Sequence, residues 1–529
     1  MLFRILACLC CFESDLLKNM SLEEKVGQLL MVHFHGETIN EDARILVQDT
    51  KVGGIIYYNW SNGLSSPEQV QTLSAGLQEL TKGNHKSIPL LIAADQEGGV
   101  VARLQSGFTR FPGNRALGET DDPNLAKEAA LAMGEELLAV GINMNLSPVV
   151  DVNSNPRNPV IGVRSFGDNP ETVIAFGEKS LSGFKQAHVI ATLKHFPGYG
   201  DVDVDPHKDL PVIYKSKENL EKVELLPFAK LASSADAIMT AHILVPALDA
   251  ENCSTLSEKT LKYLRDVIGF QGVIVTDSLV MDGVLKKCHS VDEASIMALN
   301  AGCDILILGG KLLIGEHTRV ELTTADIQRI HGSIVKAVKS GLVSEVKLDE
   351  AVERILKLKG RYLTGTQSTD LHEKIDTVEH RALAQKIASL ALRTSEKESD
   401  KIAHLRDKNI FVVAPDILQS SIDNTSLSEI GKSTDFYFFN GLNPSNVEIE
   451  AVKKQAEAAD LVMVCSYNAW KNPSAIAMTE CLLGMGKPLI LLSLRDPLDA
   501  ALFSSASLVF KSFSPTVPSI QAICDQLNE

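Results

Sequence analysis

Short apolar runs rich in Val, Ile and Leu recur along the first 310 residues, at 26–34, 52–58, 89–95, 142–152, 189–196, 237–245, 272–277 and 303–308. They do not alternate strictly with polar positions, as expected of strands buried on both faces. Most intervening segments, such as 124–140 and 170–186, are long enough for a helix. Strands alternating with helices imply parallel pairing through right-handed crossovers. Eight such units predict an α/β fold, a (β/α)8 TIM-like barrel, with a doubly wound open sheet as the alternative. A charged helix is predicted over 344–361, where Val352, Ile355 and Leu356 stand at helical spacing. The Thr-rich stretch that follows, LTGTQSTDLHEK from Leu363, has no periodic apolar face and predicts a linker over 363–378. Further apolar runs at 409–414, 435–439, 461–465, 488–494 and 508–510 predict a smaller α/β/α sandwich domain over 379–529. The barrel then spans 20–362, and residues 1–19 form an N-terminal extension.

Composition narrows the class. Of 529 residues, 45% are hydrophobic and 22% charged, the balance of a globular protein and not of a disordered one. A net charge of −16 with no long Lys/Arg run argues against nucleic-acid partners, which require a clustered basic face. No apolar run reaches the length of a membrane span. The first twelve residues, MLFRILACLCCF, carry one Arg and a run shorter than a secretory signal needs. The ILAC within it resembles a lipoprotein cleavage site, although only seven residues precede Cys8. A retained N-terminus and a cytoplasmic protein are expected, with export or lipid anchoring as the alternative. The nine cysteines include no C-x-x-C pair, and several sit inside apolar runs, as in a reduced chain. A metal site at Cys8, Cys10 and Cys11 lacks a nearby matching His/Cys pair.

Polar residues gather at the downstream ends of the apolar runs, which in a barrel is the catalytic face. Asp95 ends the third run, Lys194 and His195 the fifth, and Asp277 the seventh, while His242 lies within the sixth. Each alone has a structural reading: a strand-end Asp often caps a helix, and a His inside an apolar run is usually a satisfied core residue. Their recurrence at one rim favours a site. The long loop KHFPGYGDVDVDPHKDLP from Lys194 holds Asp205 and His207 two residues apart. A carboxylate beside an imidazole favours the charged ring and orients it, as a proton donor near neutral pH requires. A solvated acidic loop is the plain alternative. A cation site at Asp201, Asp203 and Asp205 is another, but the spacing lacks the Gly and bidentate Glu of an EF-hand. In VIVTDSLVM, an apolar strand delivers Asp277 to a turn, where a carboxylate can attack a sugar C1 if it stays ionised. In ADQEGGVVAR, Asp95 can accept hydrogen bonds from vicinal hydroxyls and Arg103 can donate several. Gly98-Gly99 allows the backbone to pass close to a ligand, and Arg164 in GVRSFGD adds a fork of donors.

Together DQEGG at 95–99, RSFG at 164–167, KHFPGYGD at 194–201, DPH at 205–207 and TDSLVM at 276–281 resemble family 3 glycoside hydrolases, in particular their bacterial β-N-acetylglucosaminidase (β-N-acetylhexosaminidase) branch. The resemblance covers about residues 20–310 by motif and the rest by architecture, a barrel followed by an α/β sandwich. It implies that Asp277 is the nucleophile, that His207 is the general acid/base, and that Asp205 tunes it. It implies that Asp95, Arg103, Arg164, Lys194 and His195 bind the terminal sugar. Three positions depart from the family pattern: Val100 stands where Arg is frequent, Tyr199 where His is usual, and Pro206 where a small residue is common.

The activity so implied is that of a retaining exo-β-N-acetylglucosaminidase acting by double displacement on terminal GlcNAc, with peptidoglycan fragments as the expected source. A β-glucosidase, a β-xylosidase or a phosphorylase of the same family is the alternative, and a catalytically silent sugar-binding protein the alternative of another class. No cofactor and no metal are implied.

Overall fold

The computed structural model describes residues 16–83, 86–205, 209–314, 318–363, 371–395 and 404–528. The apolar N-terminal run with Cys8, Cys10 and Cys11, the residues Pro206 and His207, and much of the predicted linker lie outside the described residues. Eight short strands form one parallel sheet: β1 Leu30–Val32, β2 Gly54–Ile56, β3 Leu91–Ala94, β4 Met144–Asn145, β5 Ile190–Phe196, β6 Ala237–Thr240, β7 Val273–Val275 and β8 Leu306–Ile307. The order β8-β1-β2-β3-β4-β5-β6-β7 runs around a ring, and a parallel bridge between Val275 and Ile305 brings its two ends together. Every one of the eight apolar runs supplies a strand, so the α/β barrel stands and the open sheet does not.

The first run needs a correction. Residues 22–29 are helical, and only Leu30–Val32 in the middle of the run joins the sheet. Ser21 and Glu24 form a reciprocal capping box that starts the helix, and the S-L-E-E sequence there is its signature. Val26 and Leu29 are apolar because one helix face packs on the barrel. The two long crossover helices match their expectation closely. Pro123–Ala139 starts behind an Asp122 cap and Pro170–Gln186 behind an Asn169 cap, each with Pro pre-set for the first turn.

The second domain is a six-stranded sheet. Its strands are β9 Arg393–Thr394, β10 Asn409–Pro415, β11 Ser433–Phe439, β12 Leu461–Ser466, β13 Leu489–Ser493 and β14 Leu508–Lys511, in the order β9-β14-β13-β12-β10-β11. All neighbours are parallel except the short edge strand β9, which the sequence pattern did not reveal. Two separate apolar clusters cover the two faces, making three layers. Helix Val378–Ala391 joins the halves: Ala384 and Ile387 belong to the barrel core, while Ala391 packs with Ala116, Val163 and Phe513 in a small interdomain cluster. Val100 rests against this cluster. No helix among the described residues is long and apolar enough to cross a membrane, and the described cysteines are free thiols.

Candidate active site

At the C-terminal rim of the barrel a cavity of about 480 Å3 opens among the strand-end residues. That lies within the ~300–1,000 Å3 of small-ligand pockets. Asp95, Arg103, Arg164, Lys194, His195 and Asp277 all line it. Six of the eight residues singled out from sequence thus meet in one place, from segments more than 180 positions apart. Asp205 is described but does not line the cavity, and His207 lies outside the described residues.

One wall is a network of buried and half-buried ions. Lys194, at the end of β5, donates to Asp95 Oδ1 at 2.8 Å and also pairs with Glu97 at 2.7 Å. Arg103 Nη2 donates to Asp95 Oδ2 at 3.2 Å, and its guanidinium lies over the Tyr58 ring. Arg164 grips Glu97 with two parallel bonds, Nε to Oε2 at 3.0 Å and Nη2 to Oε1 at 2.8 Å. Three cations therefore face two carboxylates. Burial by itself would raise the Glu97 carboxyl, but Arg164 and Lys194 hold it down to about 2. Asp95 is likewise held well below the carboxylate range against its burial, by Lys194 and Arg103. Burial opposes the charge on Lys194, and Asp95 and Glu97 overcome it, so the ammonium persists. Arg103 Nε is buried without a hydrogen-bond partner among the described residues, a donor available to a ligand.

Next to this wall, His195 Nδ1 pairs with Asp151 Oδ2 at 2.7 Å. The carboxylate accepts, so Nδ1 carries the proton and Nε2 is the ring atom left unengaged by it. Asp151 also accepts the Tyr199 backbone N–H at 2.6 Å, which ties the loop after β5 to the segment that follows β4. The Tyr199 hydroxyl in turn accepts the His242 backbone N–H at 2.6 Å, a structural use for the tyrosine at that position.

Asp277 lines the same cavity. It follows β7, is only partly buried, and accepts the Ser278 backbone N–H at 2.7 Å. His242 is the satisfied core histidine of the plain reading. Its Nε2 donates to the Ser278 carbonyl at 2.8 Å and its Nδ1 faces the Thr255 hydroxyl at 2.8 Å, bracing the turn that holds Asp277. Tyr58 and Trp60, stacked with centroids 4.9 Å apart, also line the cavity, Tyr58 beneath the Arg103 guanidinium.

Several expectations shift. Gly98 and Gly99 do not line the cavity. Both have positive φ, and a Cβ on Gly99 would come within 2.8 Å of Gly113, so they serve a backbone turn packed on the segment 111–113. Asp201 pairs with Lys215 and Asp203 accepts from Asn155, so these two acids face different partners and not a common ion. Glu97 and Asp151 were not singled out. Glu97 stood inside the DQEGG motif, and Asp151 ends the fourth apolar run, so the same rim rule that found Asp95 would have found it. Among the described residues no second-domain side chain lines the cavity, but the domain supports its edge. Asp496 accepts the Val163 N–H at 3.3 Å, and Lys471 donates to the Pro159 carbonyl at 3.0 Å, on the segment that carries Arg164.

Residues 21–358 match the glycosyl hydrolase family 3 N-terminal domain. The beta-hexosaminidase A of Pseudoalteromonas piscicida is 34% identical over 437 residues, covering 75% of this chain and 71% of that protein. A beta-hexosaminidase of Pseudomonas aeruginosa is 34% identical over 307 residues, covering 57% of this chain and 86% of its own. Among solved structures, a family 3 beta-N-acetylglucosaminidase from Paenibacillus superposes with a TM-score of 0.86 at 35% identity, covering 96% of each chain.

Proposed function

The chain belongs to glycoside hydrolase family 3 and is a glycoside hydrolase, and we propose that it is a retaining exo-β-N-acetylglucosaminidase releasing terminal β-linked GlcNAc. One observation carries this reading: a strand-end carboxylate, Asp277, opens into the same cavity as a wall of fixed donors and acceptors suited to sugar hydroxyls. The matching relatives named beta-hexosaminidase support GlcNAc as the sugar.

In this mechanism the wall of Asp95, Arg103, Arg164, Lys194 and His195 binds the terminal sugar. Its ion pairs hold these groups in place before the ligand arrives, so little ordering is left for the binding step. An Asp277 carboxylate oxygen attacks the anomeric carbon. The glycosidic C–O bond breaks, and its electron pair goes to the departing oxygen, which takes a proton from the His207 imidazolium. A water then attacks C1, gives its proton to the imidazole, and the Asp277 carboxylate is released with net retention. Asp205, two residues from His207, favours the charged ring. Cell-wall fragments supply the terminal sugar in this reading, and the free thiols fit a reducing, cytoplasmic setting.

Incubation with a slow fluorinated GlcNAc-type inactivator, followed by intact-mass analysis and peptide mapping, should give one adduct on Asp277. A label on any other residue overturns the assignment. For His207→Ala, hydrolysis of aryl glycosides with good leaving groups should fall much less than that of unactivated glycosides, since a good leaving group needs little protonation. Equal losses on both would remove His207 from the acid/base role.

A further inference from the structure

A second cluster of chemistry-bearing side chains sits on the same rim, outside the wall and the reacting groups. His33, Phe34 and His35 continue the chain beyond β1, and alternate positions of an extended segment project to one side. Both imidazoles meet Glu321, the last residue of the antiparallel hairpin Lys311–Ile314 with Thr318–Glu321 that follows β8. The same carboxylate oxygen, Oε2, lies 3.7 Å from His33 Nε2 and in hydrogen-bond contact with His35 Nε2. The three donor atoms all fall within 4.8 Å of one another. Among the described residues this is the only group of three or more His, Cys, Asp or Glu side chains so disposed. His33 is buried, and Trp60 closes one side, its ring centroid 5.1 Å from His33 and 5.8 Å from His35.

We propose that His33, His35 and Glu321 form a binding site for a divalent transition-metal cation of the zinc class, which ties the hairpin after β8 to the end of β1 beside the substrate cavity. The donor set selects the class. Two imidazole nitrogens and one carboxylate oxygen suit zinc and its first-row neighbours, whereas calcium and magnesium take oxygen ligands. The spacing suits it as well. With metal–ligand bonds of about 2.0–2.2 Å, ligand atoms in a tetrahedral site lie roughly 3.3 Å apart, close to the His33–Glu321 separation. An ion seated there replaces the direct His35–Glu321 hydrogen bond. Three protein ligands leave a fourth position for water. The two imidazoles come from alternate positions of one short segment and the carboxylate from far along the chain, so the ion cross-links two rim loops. Trp60 packs against both imidazoles and also lines the cavity.

The test uses the full chain, stripped with chelator and titrated with Zn2+ by calorimetry and with Co2+ by visible absorption. One equivalent of each is expected to bind, with the intense d–d bands of a low-coordinate cobalt site, and Zn2+ is expected to raise the melting temperature. His35→Ala and Glu321→Gln should each weaken binding at least tenfold and remove the cobalt bands. The His35 side chain is 58% exposed, so its loss leaves the fold intact, which circular dichroism checks. Asp277→Asn should bind as the parent does, separating this site from the glycosidase centre. The proposal is overturned if neither metal binds saturably at millimolar concentration. It is equally overturned if binding survives both ligand substitutions, or is lost in Asp277→Asn.

Discussion

Two parts of the cavity lining are built on opposite principles. The wall of Asp95, Glu97, Arg103, Arg164 and Lys194 is built around the buried Glu97 and Lys194, with the other three half-buried, and every charge in it touches an opposite one. Asp277, half-buried elsewhere in the lining, accepts a single backbone N–H, that of Ser278. A buried ionic network is costly to assemble and costly to break in part, so it keeps one geometry whether or not a ligand is present. A carboxylate that must form and release a covalent bond needs room and few competing partners. In the proposed mechanism the ionic wall serves recognition and Asp277 serves bond-making.

The sharpest way to break this contrast is Asp277→Ala. It is expected to lower kcat/KM by more than about a thousandfold while leaving the melting temperature almost unchanged, because little of the fold depends on that side chain. Steady-state kinetics beside a thermal melt checks both halves. If Asp277→Ala unfolds the protein, the division of labour fails.

Glu97→Gln should do the reverse. Glu97 is almost fully buried between Arg164 and Lys194, and removing its charge leaves both cations short of a partner. A loss of about 3–5 kcal/mol in chemical denaturation is expected, as for breaking a buried ion pair, together with a raised KM. The same carboxyl gives a pH signature. Its folded-state value of about 2 lies below the ordinary ~4.3 of an unfolded Glu. The unfolded chain therefore binds the proton first, so the stabilisation is full above that range and is lost as pH falls toward 2. Denaturation midpoints across that window should slope less steeply in Glu97→Gln than in the parent.

The smallest expected effect belongs to the aromatic edge. Trp60 is 38% exposed at the mouth of the cavity. Trp60→Ala should raise KM several-fold, about 0.5–1.5 kcal/mol, for substrates whose aglycone extends over that ring. Its effect on small aryl glycosides should be close to nil. An equal effect on both substrate types would remove the ring from aglycone contact.

Much of this was legible in the residues. The eight barrel strands appear as eight apolar runs because strands buried on both faces need apolar side chains at every position. Asp95, Lys194, His195 and Asp277 announce themselves by ending such runs. The helix at 22–29 was hidden because its buried face merges with β1 into one apolar stretch, and only the capping pair Ser21–Glu24 marks the boundary. β9 was hidden because two residues on a sheet edge carry no periodic pattern at all. Glu97 lay in plain view, but its role depends on Arg164, 67 positions away. The His33-x-His35 pair has the same character: its carboxylate partner stands 286 positions from His35.

The sequence by itself determined the class of fold, the order of the strands and which residues end at the rim, because these follow from local periodicity and from the direction of parallel strands. Which charges pair, and which wall each faces, was decided only by the closure of the barrel. So was the use to which Tyr199, Val100 and the glycine pair are put. Closure brings together side chains whose separation along the chain carries no information about their separation in space. The strength of a charge–charge contact depends on that distance and on the water excluded around it, and neither is written in the order of residues.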